Sequence, residues 1–151
     1  DIGIEEHVTT QGVSSKAITD FLNNHPAPNK TWTWNREQLP YASGETTAAT
    51  QLFNWMDPDI QLGHGTVMSL ITDVGGKDVW GEPYGLIGWD SASDHFVAGD
   101  GVVLRSDNCH RIMYIDPYET KWDGPASLGQ HTIDAANMAH LMALNTGYLV
   151  H

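Results

Sequence analysis

Basic residues are scarce in this chain. Seven Lys and Arg stand against 19 Asp and Glu, a formal net charge of -12. No Lys/Arg cluster occurs anywhere along it. So acidic a surface repels phosphate, which counts against nucleic-acid binding and against adhesion to an anionic membrane. No apolar run approaches the ~20 residues that cross a bilayer. The only cysteine is Cys109, so no internal disulfide can form. In an oxidising compartment that leaves a free thiol or a bridge to a second chain. One cysteine also rules out a CxxC pair, and His7, His25, His64, His131, His140 and His151 lack HExxH spacing. The acidic loops lack the spacing of a calcium EF-hand, and Asp57, Asp59 and Asp123 read as solvated surface. Gly75-Gly76 is followed by no Lys-Ser/Thr pair and so is no phosphate cradle. The expectation is no metal and no cofactor.

The remaining composition is that of a folded protein. With 151 residues the chain is read as one domain, 1–151, large enough to bury a core. Hydrophobic residues make up 40% and charged residues 17%, which excludes a disordered chain. Six Trp, 15 Gly and few Lys suggest a secreted, extracellular protein. Starting at Asp1, with no Met and no signal peptide, the chain reads as a mature or processed product. Asn29-Lys30-Thr31 is a glycosylation acceptor triplet.

Local patterns outline the elements. Ser14 and Ser15 are N-cap candidates for a helix with Ala17, Ile18, Phe21 and Leu22 on one face. Asn23-Asn24-His25-Pro26 ends it. Thr31-Trp32-Thr33-Trp34 alternates as a short strand does. Gly44 precedes a helix over about 45–56, with Ala48, Ala49, Leu52, Phe53 and Met56 on its apolar side and Asp57-Pro58-Asp59 as its stop. Residues 66–71 form a short apolar run, strand or helix. Gly75 to Pro83 reads as a polar loop holding Trp80. His95–Leu104 and Arg111–Ile115 form a hairpin over the turn Ser106-Asp107-Asn108. Thr132 caps a last helix, and Tyr148-Leu149-Val150 is a final strand. The class is α+β: helices first, then a mostly antiparallel sheet.

Three segments carry chemistry. Gln11-Gly12-Val13-Ser14-Ser15 opens the first helix, Asp94-His95-Phe96-Val97 opens an apolar strand, and Ile115-Asp116-Pro117 ends the next run. In this order they resemble the secreted bacterial relatives of the bacteriocin-processing, double-glycine-leader peptidases, which have a papain-like cysteine peptidase fold. The resemblance implies that His95 is the catalytic base and Asp116 the residue that orients it. It puts the nucleophile in a Cys-Gly-Pro-like motif, where Gly12 matches the glycine, Val13 stands for proline and Gln11 stands for cysteine. The family's oxyanion glutamine falls in a stretch that here reads Glu5-Glu6-His7, and a carboxylate there repels an oxyanion.

The chemistry gives these departures their weight. A thiolate attacks a carbonyl when an imidazole takes its proton and a carboxylate fixes the imidazole's tautomer. An amide such as Gln11 is no nucleophile. Cys109 lies in a surface turn beside His110, and adjacent strand residues point to opposite faces, so it reads as an ordinary thiol. Taken alone, His95 and Asp116 are a strand-start histidine and an Asp-Pro turn starter. With the resemblance, the expectation is a pseudoenzyme of the papain-like hydrolases that binds a peptide or protein in the former cleft. The alternatives are an active peptidase whose nucleophile Gln11 has replaced, and a structural protein sharing the fold. Trp80 and Trp122, in polar loops, are candidates to line a groove.

Overall fold

The computed structural model describes residues 14–26, 28–104, 110–117 and 129–151. Gln11, Gly12 and Val13 lie outside the described residues, as do Glu5-Glu6-His7, the 106–108 turn, Cys109, Trp122 and Asp123.

Helix α1 (Ser15–Asn24) starts at its serine cap. Ser14 Oγ accepts the Ala17 N–H at 3.1 Å. Its buried face is rotated from the expected one: Ser15, Thr19 and Phe21 are buried, while Ala17, Ile18 and Leu22 are half-buried. Thr19 fits there because its hydroxyl donates to the Ser15 carbonyl at 2.8 Å. The far end of α1 is clamped by Asn23, whose amide donates to Trp34 O at 2.9 Å and accepts from Trp34 N–H at 2.8 Å. That clamp takes both backbone groups a ladder would use, so Thr31–Trp34 is not a strand. Strand β1 begins later, at Arg36–Gln38.

Helix α2 (Glu45–Gln61) overruns its expected stop and contains Pro58. A proline inside a helix costs about 3 kcal/mol. The last turn is nonetheless held, because Leu62 N–H reaches Pro58 O at 3.2 Å and Asp59 accepts from His151 Nδ1 at 2.9 Å. The 66–71 run is strand β2 (Thr66–Ile71). The expected loop after it is a hairpin of β3 (Asp73–Lys77) and β4 (Pro83–Gly85). Gly75 and Gly76, at φ of 70° and 82°, make the irregular step within it.

Strands β5 (Asp94–Leu104) and β6 (His110–Asp116) pair antiparallel, as the sequence suggested. Thr132 is no cap. It lies in β7 (Gly129–Asp134), opposite Met113, and Asp134 caps α3 (Ala135–Leu144) by accepting the Ala136 N–H at 2.8 Å. Strand β8 is Tyr148–Val150.

The fold is α+β, with α3 set between strands and not ahead of them. The main sheet runs β1-β8-β2-β5-β6-β7, and every pairing described in it is antiparallel. One face carries Met68, Leu70, Val97, Ile112, Tyr114 and Leu149, all buried. Against it pack Leu52 and Met56 of α2 and Met138, Leu141 and Met142 of α3. Helix α1 packs on β8 and β1, and Phe21 and Val150 are buried apart from that main cluster.

A bulge shapes the central hairpin. Gly99 opposes Tyr114 and Gly101 opposes Met113, which leaves Asp100 as the extra residue. Side chains alternate along a strand, so a one-residue slip changes face. The bulge absorbs that slip and lets Val97 and Val102 serve the same core. Gly99 also leaves no room for a side chain: a β-carbon there would run into Thr66 Oγ1 and Met56 Cε. Gly99→Ala is expected to cost about 1–3 kcal/mol by overpacking. Gly101→Ala meets only Met113 Sδ at 3.0 Å, a flexible neighbour, and should cost less. Thermal melts of both variants test this ordering.

Candidate functional site

The hairpin brings His95 and Asp116 together. Extending the ladder one step beyond Ala98 and Ile115 sets Asp116 opposite Val97. His95 is then its diagonal neighbour on the same face, within side-chain reach. His95 Nε2 lies 2.8 Å from Asp116 Oδ1. The Asp116 side chain is 0% exposed and that of His95 is 13% exposed.

A carboxylate so deep needs a donor at each oxygen. The second is Trp89, whose Nε1–H donates to Asp116 Oδ2 at 2.8 Å. The indole also packs beside the imidazole, with ring centroids 4.8 Å apart and planes inclined by 48°. Trp89 therefore braces both members of the pair.

The loop that carries Trp89 is fastened in turn. Thr72, at the end of β2, is fully buried. Its carbonyl accepts the Leu86 N–H at 2.7 Å, its hydroxyl donates to Ser91 O at 2.7 Å, and that hydroxyl accepts the Ser93 N–H at 3.0 Å. Trp89 N–H closes a turn onto Leu86 O at 3.2 Å. Neither Trp89 nor Thr72 is marked as a site residue by sequence spacing. The available signal was Gly88-Trp89-Asp90, a tryptophan within a turn shortly before the histidine strand.

Tyr114 forms the floor beside the pair. It lies two residues before Asp116 on the same face and accepts the Ile87 N–H at 3.2 Å. Burial pushes its phenol up to about 12, with the Asp116 carboxylate adding to the effect and the Ile87 bond opposing it. The proton therefore stays on, and the phenol remains neutral beside the carboxylate.

This arrangement defines what the imidazole can do. An ionised carboxylate only accepts, so His95 donates through Nε2–H. Proton exchange with a substrate or nucleophile then falls to Nδ1, the general-base geometry of an oriented histidine. Of the three residues expected at the site, the structure joins His95 and Asp116, while Gln11 lies outside the described residues. Among the described residues, no group of three or more His, Cys, Asp or Glu could hold a metal ion. Among them also, no helix is long and apolar enough to cross a membrane.

Trp89→Phe keeps an aromatic ring and removes one donor from a buried carboxylate. The expected cost is about 1–3 kcal/mol in denaturant unfolding. Tyr114 gives a pH signature. Its folded pKa is raised from 10.0, so its stabilising effect is complete below pH 10 and is lost as pH rises to about 12. Relative to Tyr114→Phe, the unmodified chain should lose roughly 2–3 kcal/mol over that window. Parallel stability curves for the two proteins would contradict this.

No family model matches the chain, and no curated protein or solved structure does either. The His95–Asp116 pair is therefore read from its own geometry.

Proposed function

We propose that this chain is a papain-like peptidase-type domain that keeps its base and orienting residue but has Gln11 where the thiol would stand. On this reading it binds a peptide or protein in the former cleft and does not cleave it. The observation that carries the reading is the His95–Asp116 bond. A fully buried carboxylate, given donors at both oxygens, is spent on orienting one slightly exposed imidazole. A histidine that only starts a strand needs no such support.

On this reading Gln11 takes the place of the thiol. An amide there can hydrogen-bond a carbonyl or an imidazole but cannot form an acyl intermediate.

Restoring the thiol tests this. In a Cys109→Ser background, Gln11→Cys should react with iodoacetamide near neutral pH about tenfold faster than Cys109 does in the unmodified chain, because on this reading it stands beside an imidazole, which lowers a thiol's pKa. Adding His95→Ala should remove the gain. A Gln11→Cys thiol no faster than Cys109, or one indifferent to His95, would overturn the reading. The unmodified chain should label slowly at Cys109 and show no thiol-peptidase activity.

A further inference from the structure

The β3–β4 turn holds two apolar side chains out in water. Val79 is 89% exposed and Trp80 is 86% exposed. Their backbone is firmly held. Asp78 Oδ1 accepts the N–H groups of Trp80 and Glu82, each at 2.9 Å, and Oδ2 accepts from Asn137 Nδ2 at 3.0 Å. Asp78 N–H reaches Glu82 O at 2.9 Å, and Gly81 N–H reaches Asp78 O at 3.1 Å. Asn137 is a buried residue of α3. Desolvation acts against the charge on Asp78, but these bonds outweigh it and hold the carboxyl below the usual carboxylate range. A core asparagine thus anchors a turn whose outward product is a solvated indole. A backbone already fixed in place loses little freedom on binding, and the aromatic side chain it presents can make strong contacts.

A groove of about 290 Å³ lies beside the turn, lined by Glu82, Gly85, Ile87, Arg111, Tyr114 and Ile133. Ile87 is 47% exposed and is tied to Tyr114 through its N–H. Tyr114 is the neighbour of Asp116 on the sheet face, so the groove adjoins the His95 pair.

The charge here is negative. Arg111 is occupied by Glu82, at 3.2 and 3.3 Å, and by Thr132 O at 3.3 Å. Asp73, Asp78 and Glu82 lie on or between β3 and β4, with Glu45 acting on Tyr84; the cations are Lys77 and Arg111. Desolvation, then the Glu45 and Asp78 carboxylates, push the Tyr84 phenol upward. The whole chain carries -12. Such a field attracts a cationic partner and repels an acidic one.

We propose that the Val79–Trp80 tip and the adjoining groove dock an extended, cationic peptide segment of a partner protein. Its basic side chains lie against Trp80, and its apolar side chains lie over Ile87. The proposal rests on the peptide-binding reading of the cleft and names the class of peptide. Ammonium and guanidinium groups are attracted to an indole face, which supports that class.

The probe is acetyl-Leu-Lys-Leu-Arg-Leu-amide, compared by calorimetry with its counterpart carrying Glu for Lys and Arg. The basic peptide should bind at least about tenfold more tightly at moderate salt. Trp80→Ala should weaken it by about thirtyfold, a hot-spot loss, while Trp80→Phe retains most of the affinity. Trp80 is solvated, so its variants should melt with the unmodified chain. Equal binding of both peptides, no binding of either, or no effect of Trp80→Ala would overturn the proposal. So would Trp80 entering phosphatidylcholine vesicles in place of peptide. The Gln11→Cys reaction rate reads the His95 pair alone and separates the two ideas. A fast thiol with no preference for the basic peptide removes this docking surface and leaves the peptidase-like reading. A slow thiol with Trp80-dependent binding does the reverse.

Discussion

The buried carboxylate of Asp116 is the constraint to which the surrounding elements answer. Left without partners, an ionised group at that depth costs several kcal/mol. Two donors from separate parts of the chain remove the deficit, Nε2–H of His95 from β5 and Nε1–H of Trp89 from the loop before it. Each donor requires its own support. His95 depends on the hairpin register, and Trp89 depends on a loop that Thr72 ties to β2 through four hydrogen bonds. Tyr114 stays neutral chiefly because it is buried, and the Asp116 charge beside it adds to the effect. One acidic side chain therefore couples β2, β5, β6 and the loop 86–93 into a single arrangement.

Much of this was legible in order but not in detail. Two apolar runs, 95–104 and 111–115, about a turn signal read as a hairpin, and a hairpin makes its ends neighbours, so His95 and Asp116 could be paired without a structure. The serine cap of α1 could be read because a hydroxyl before an apolar repeat has a local purpose. Failures arose where a distant contact outweighed a local signal. Trp32 and Trp34 alternate like strand residues, but Asn23 captures the backbone of Trp34. Pro58 should stop α2, yet Asp59 is held by His151 from the other end of the chain. Gly75-Gly76 spelled loop and forms an irregular hairpin instead. β7 was missed because Gly129–Asp134 has few apolar residues, and its partner β6 could not be seen in its own sequence. Trp89 and Thr72 matter through what they touch, and sequence spacing carries no such information.

The few cations are mostly occupied within the molecule. Lys16 pairs with Asp20, Lys30 sits 5.6 and 5.3 Å from the rings of Trp32 and Trp34, Arg36 lies 4.1 Å from the Tyr148 ring, and Arg111 meets Glu82. Such contacts are individually worth little where exposed. Together they leave little positive charge to oppose the acidic excess at the surface. Long-range attraction in this protein therefore acts on cations, and its strength falls with added salt.

Strand β8 is short and has a decisive position. β1 meets the sheet only through it, and α1 packs on the two together. During synthesis α1 and β1 emerge first, but the strand that seats them comes roughly a hundred residues later, some 5–20 s at ordinary translation rates. Until then the helix can form locally but cannot dock, and its apolar face stays open to chaperones or to other nascent chains. The central hairpin, with its short sequence separation, closes without waiting. Maturation thus has a built-in order: the histidine–aspartate half takes shape early, and α1 and β1 are seated only when β8 enters between β1 and β2.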